Sequence, residues 1–161
     1  MYKGIEIIGL PVVEINTGRV LGEVEDIIFS EFDGLVKGFV IRNKNKYFLE
    51  THNINRIGED AITVLSQDLL KPWEEHNTVE ENEQTFQTLN NTIFGERVMT
   101  TSGKEVGKVK DLIIDENKNS VIGFELTEGV IQDLLEGRNL LPLSNNLIYG
   151  QDTLLLDEEG V

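Results

Sequence analysis

The side chains in this sequence that could carry chemistry are few, and their spacing scatters them. The two histidines, His52 and His76, stand in different segments and there is no cysteine. A thiolate site, or a histidine pair at zinc-ligand spacing, therefore cannot be assembled from the sequence. "DENKNSVIGFEL" sets Asp115, Asn117 and Asn119 at the first, third and fifth positions of a calcium loop. The rest of that motif is missing: Ser120 stands where the sharp turn needs glycine, and Leu126 where a bidentate glutamate would close the shell. Both flanks read as strands, so a hairpin is expected there. Glu23 and Glu25 form a carboxylate pair of the kind that serves as acid and base, but they alternate with apolar neighbours and are expected to face water. No nucleophile elbow, Walker loop or dinucleotide fingerprint is present among the 15 glycines. We therefore expect no catalytic residues, no metal ligands and no cofactor.

The glycines recur in a pattern of their own. "TGRVLGEVEDIIF" at residues 17–29 returns as "SGKEVGKVKDLII" at 102–114. A shift of about 85 positions places Gly18 on Gly103, Gly22 on Gly107, Asp26 on Asp111 and Gly38 on Gly123 without a gap. The second copy then gains roughly seven residues before "LETHNINRIGEDAITV" realigns with "LPLSNNLIYGQDTLLL". The chain is a duplication that leaves out only its middle. Its expected organisation is a first repeat at 1–65, an acidic linker with some helix at 66–92, and a second repeat at 93–161.

Short runs rich in Val, Ile, Leu and Phe between turn residues predict strands. They fall at 10–15, 21–30, 35–42, 46–50 and 61–65, and again at 96–101, 106–115, 121–127, 139–143 and 153–157. Asp33-Gly34 is expected to make a type I′ hairpin turn. So many short strands in about 65 residues favour closure into a small barrel, which removes exposed edges. Strict alternation would put Val24, Asp26 and Ile28 on one face, yet Ile27 and Phe29 are just as apolar. A bulge beside each aspartate accounts for the slip in phase, with Asp26 and Asp111 accepting hydrogen bonds from nearby backbone amides.

Two segments outside the repeat are candidates for specificity. Leu69, Leu70 and Trp73, the last being the only tryptophan, form an apolar anchor for a partner or for packing on or between the barrels. In "EGVIQDLLEG", Ile131, Leu134 and Leu135 recur at helical spacing, predicting an amphipathic helix near 128–137 that plugs a barrel end or recruits a partner.

Hydrophobic residues make up 39% of the 161, enough for a core, and the net charge is −15. A field of that sign repels phosphate polymers, so nucleic acid is not expected as a direct partner. No apolar run approaches the roughly 20 residues that span a bilayer. With no cysteine and no signal sequence at the N-terminus, a cytoplasmic location is expected.

The paired motifs "GRVLGEVEDIIFSEFDGLVKGFVI" and "GKEVGKVKDLIIDENKNSVIGFEL", with the closing stretches "NINRIGEDAITV" and "NNLIYGQDTLLL", resemble the PRC-barrel family. The resemblance implies an all-β fold of two tandem small PRC-type barrels with short helical additions. It also implies an adaptor role, as in the cytoplasmic subunit of photosynthetic reaction centres and in a ribosome maturation factor that binds a small-subunit ribosomal protein. The family shares no catalytic residues to carry over. Lacking the membrane helix of the one and the N-terminal domain of the other, this sequence is most similar to the tandem stand-alone members. A protein partner is expected; a second copy of the chain, or a small ligand or enzymatic site between the barrels, are the alternatives.

Overall fold

The computed structural model describes residues 1–73, 86–127, 139–144 and 146–157. The first repeat runs β1 (Tyr2–Lys3), α1 (Gly4–Ile7), β2 (Pro11–Glu14), β3 (Val20–Ser30), β4 (Val36–Asn43), β5 (Asn45–Glu50), β6 (Arg56–Ile57), β7 (Ile62–Val64) and β8 (Lys71–Pro72). The second runs β9 (Phe86–Thr88), a π-helical turn (Leu89–Ile93), β10 (Arg97–Thr100), β11 (Glu105–Asp115), β12 (Ser120–Leu126), β13 (Leu140–Pro142), β14 (Leu147–Tyr149) and β15 (Thr153–Leu156). Every strand expected from the sequence is present, with bounds within one residue of those read. The strands that were not anticipated are all two or three residues long, too short to show a period.

One sheet has the order β6-β7-β2-β3-β4-β5-β8 and the other β13-β12-β11-β10-β15-β14. The long strands β3 and β11 carry the bulges the phase slip required: pairing with β4 jumps from Val24 to Asp26, and pairing with β12 from Val109 to Asp111. Glu25 is the extra residue in β3. Val24, Ile27 and Phe29 can then all reach the core, while Asp26 and Ile28 lie on the opposite face of the sheet. The hairpin at Asp33-Gly34 differs from expectation. Gly34 has φ +74°, but Asp33 is not among the residues with positive φ, so the turn is not type I′. Gly34 N donates instead to Ser30 O over 2.9 Å, a single helical turn that a left-handed glycine closes.

The repeats exchange their N-terminal arms. Strand β1 of the first repeat pairs with β11 of the second, setting Tyr2 opposite Ile114 and Lys3 opposite Ile113. Reciprocally, β9 of the second pairs with β3 of the first, Gln87 opposite Phe29 and Thr88 opposite Ile28. Two more backbone bonds join the central hairpins, Val36 N to Asn119 O and Val121 N to Gly34 O, each 2.7 Å. Under the shift of about 85 residues these contacts map onto one another, so a pseudo-twofold axis relates the halves.

The larger of two apolar clusters among the described residues spans both repeats. Ile27, Phe29 and Phe39 from the first repeat and Leu112, Phe124 and Leu154 from the second belong to one cluster, each 1% exposed or less. The Phe29 and Phe124 rings meet across the repeats with centroids 6.2 Å apart. At about 2 kcal/mol for each large apolar side chain removed from water, this shared core outweighs any single polar contact between the halves. The expected helix at 128–137, with Ile131, Leu134 and Leu135, lies outside the described residues, as does His76.

Candidate protein-docking surface

The arms are latched by the two repeated aspartates. Asp26 is 2% exposed, and its Oδ1 accepts from Ile27 N at 2.8 Å and from Asn90 N at 2.7 Å, in the π-helical turn of the other repeat. Asp111 is 4% exposed and accepts from Leu112 N at 2.8 Å and from Ile5 N, in α1, at 3.2 and 3.3 Å. Burial pushes the Asp111 carboxyl above its ordinary range, while the Leu112 and Ile5 amides pull it down. The structural role expected for both aspartates is the one they occupy, with the added feature that each binds the opposite repeat.

The remaining motif positions are backbone devices. Gly18 and Gly103 turn the chain at φ +69° and +90°. At Gly22, Gly38 and Gly123 a Cβ would come within 3.0 Å of a carbonyl oxygen on the neighbouring strand, and at Gly107 it would lie 3.0 Å from the carbonyl of Thr127, just past the end of β12.

At the bulge in β3, Glu25 pairs with Arg42 at 2.5 Å and Lys46 at 3.3 Å. In the second repeat the charge order reverses: Glu125 receives Lys3 at 3.0 Å and Lys110 at 3.4 Å. The Lys3 hydrogen bond, above all, holds the Glu125 carboxyl below the usual carboxylate range. A depressed folded pKa contributes stability that is present above the unfolded value and lost as pH falls through the folded one. We expect the gap in unfolding temperature between wild type and Glu125→Gln to be open at pH 6 and to close below about pH 4. Thermal melts across that range check it; a gap that persists at low pH would assign the effect to packing.

One end of the first barrel combines exposed apolar groups with a groove. Ile15, Val20 and Leu65 are 46%, 58% and 58% exposed. They lie on the outer face where β2, β3 and β7 end together: Ile15 N donates to Val64 O at 2.9 Å, and Val20 pairs with Val13. At the same end Leu21, Asn43, Tyr47, Asp68 and Leu70 line a groove of about 370 Å³. Glu14 ties the two parts together, its carboxylate accepting from Thr17 Oγ1 at 2.6 Å and from Gln67 N at 2.7 Å. The same backbone in the second repeat carries other chemistry. The bond from Ile15 to Val64 has its counterpart in Thr101 N to Leu156 O at 3.0 Å. There Thr101, Glu105 and Asp157 occupy the places of Ile15, Val20 and Leu65.

A second hollow, of about 440 Å³, lies where the repeats meet, walled by Ser30, Lys37, His52, Phe86, Lys118 and Asn119 among others. Asp33 is the one carboxylate among its described wall residues. The described residues contain no group of three or more His, Cys, Asp or Glu placed to hold a metal ion, and His52 is paired with Glu50 at 3.2 Å.

The PRC-barrel domain model matches the chain twice, over residues 1–70 and 89–160. The chain belongs to the PRC-barrel family. No curated protein matches it significantly. Among the described residues no helix is long and apolar enough to cross a membrane.

The PRC barrels place the anchor residues differently from one another. Trp73 packs on the outer face of the first barrel against Phe48, ring centroids 6.0 Å apart, beside Ile28, Val40 and the arm residue Phe86. It does not wedge between the barrels, because the exchanged arms and the shared core already fill that space. Leu69 and Leu70 pack against the main core, and Leu70 alone of the three lines the groove at the barrel end. Ile15, Val20, Leu65, Glu14 and Tyr47 were not singled out from the sequence. A signal for the aliphatic three was present, since each is replaced by a polar residue at the matching place in the other repeat.

Proposed function

We propose that this tandem PRC-barrel protein is a non-enzymatic interaction module of the cytoplasm, and that its docking surface is the end of the first barrel. The observation that carries this reading is the difference between the repeats. One backbone arrangement is built twice, so the fold itself does not demand Ile15, Val20 and Leu65 in water; the second repeat meets the same geometry with Thr101, Glu105 and Asp157. Exposed aliphatics beside a formed groove are the usual mark of a binding face. The net charge of −15 makes two copies repel and draws a partner whose apolar contact is flanked by Lys or Arg.

The test uses the duplication as its own control. A photo-crosslinking residue at position 20 of the full chain, in native lysate, is expected to give a discrete product that the same residue at position 105 does not. Leu65→Asp should reduce that product at least roughly tenfold, since it buries a charge in an apolar contact. Its unfolding temperature should stay within about 2 °C of wild type, because the site is exposed. Rising salt should weaken the product. Equal products from positions 20 and 105 would remove the reading, and a product of twice the chain mass would replace the partner with self-association.

A further inference from the structure

The pseudo-twofold contact between the repeats is not symmetric in size, and the asymmetry has a direction. Gly4 and Leu89 hold matching places, each one residue before an amide that binds an aspartate latch: Ile5 to Asp111, and Asn90 to Asp26. They face each other directly. A Cβ on Gly4 would lie 2.5 Å from Leu89 Cδ2, and Leu89 is fully buried. Across the central hairpins the pattern returns independently: a Cβ on Gly34 would lie 2.6 Å from Leu143 Cδ2 and would also strike Val121 O. The residues at the corresponding places are Asn119 for Gly34, and Thr51 for Leu143. Both holes therefore belong to the first repeat and both knobs to the second.

We propose that the two barrels form a pairing surface selective for unlike repeats, in which Gly4 and Gly34 of the first barrel accept Leu89 and Leu143 of the second and disfavour either barrel pairing with its own kind. Two first repeats would set glycine against glycine and Thr51 against Gly34, leaving a void where the fully buried Leu89 now sits and a shallower gap at the half-buried Leu143, and unfilled volume in a core destabilises. Two second repeats would drive Leu89 against Leu89 and Leu143 against the Asn119 side chain, where the space admits one leucine, and overpacking destabilises as well. Specificity of this kind comes from penalties on the wrong partner as much as from contacts to the right one. The partner that fits each barrel is thus the complementary repeat, from the same chain or from a second copy. The local backbone supports the size difference. The π-helical turn Leu89–Ile93, closed by Phe94 N to Leu89 O at 2.7 Å, holds one residue more than α1, closed by Ile8 N to Gly4 O at 3.0 Å.

The test starts from the full chain, with a protease recognition sequence inserted between Trp73 and Phe86 and cut after folding. Cut protein, unlabelled and nitrogen-15-labelled, is mixed, unfolded, refolded and weighed by native mass spectrometry. Pairs of one first half and one second half, in all label combinations, should exceed like pairs by at least roughly tenfold. The double variant Leu89→Ala with Leu143→Thr, which trims both knobs, should raise pairs of second halves into the same range as mixed pairs. Halves that separate on cutting, wild-type pairs in statistical proportion, or a double variant that forms no pairs of second halves would each overturn the proposal.

Discussion

Asp26→Ala is expected to lower the unfolding free energy by about 3 kcal/mol, the largest loss from any single polar side chain described here. The carboxylate is 2% exposed and receives two amides at 2.8 and 2.7 Å, one from its own strand and one from the arm of the other repeat. Alanine leaves the Ile27 and Asn90 N–H groups without that acceptor, and a buried unsatisfied donor costs roughly 1–3 kcal/mol. For a chain of this length the unfolding temperature should fall by roughly 6–12 °C. Asp26→Asn keeps an acceptor oxygen and should lose less than half as much. The Asp111→Ala loss should also be smaller, because the Ile5 amide stands 3.2 to 3.3 Å away. Burial also raises the Asp111 carboxyl, so its ionised form contributes less to the fold. Differential scanning calorimetry of the three variants decides the matter; an Asp26→Ala protein within about 0.5 kcal/mol of wild type would show that the latch holds nothing.

Phe124→Ala should cost more, about 3–5 kcal/mol, and should do so in one transition. Phe124 is fully buried and meets Phe29 of the other repeat at 6.2 Å and Tyr149 of its own at 6.5 Å, edge to face. Truncation opens a cavity whose walls belong to both barrels, so neither can relax without the other. Trp73 is the only tryptophan and sits on the first barrel beside Phe86 of the second repeat's arm, which allows a direct check: its fluorescence reports that face of the first barrel with the arm on it, and far-ultraviolet circular dichroism reports the whole chain. The two melts should coincide in wild type and variant. An early dichroism loss, with Trp73 unmoved, would mean that the second barrel melts by itself and that the common core does not couple the halves.

Some features needed no coordinates, and the reason differs in each case. The long strands show because alternation over many residues leaves a period, and the repeat shows because matching glycines and aspartates recur at one offset. The bulges at Glu25 and Lys110 were legible as a break in that period, since a single extra residue moves every later side chain to the other face. The turn at Asp33-Gly34 misled, because Asp-Gly fits several turns with glycine left-handed, and only the hydrogen bond from Gly34 to Ser30 distinguishes them. The Trp73 anchor was legible as apolar, but not whether it packs or recruits, nor that it lies half-buried against Phe48 on the first barrel.

By itself, then, the sequence determined an all-β duplication with two bulged long strands, paired aspartates that serve the backbone, and an acidic surface. All of these are local or periodic properties that a linear pattern records. The tertiary structure decided which repeat each arm belongs to. Strands β1 and β9 are two and three residues long and carry no pattern, and their pairing is set by the edge and the aspartate waiting on the opposite barrel. It also decided that Gly4 meets Leu89 and Gly34 meets Leu143, and that Ile15, Val20 and Leu65 gather at one barrel end. Contacts between residues distant in sequence arise from how strands from separate parts of the chain close on one another, and only the packed molecule contains that information.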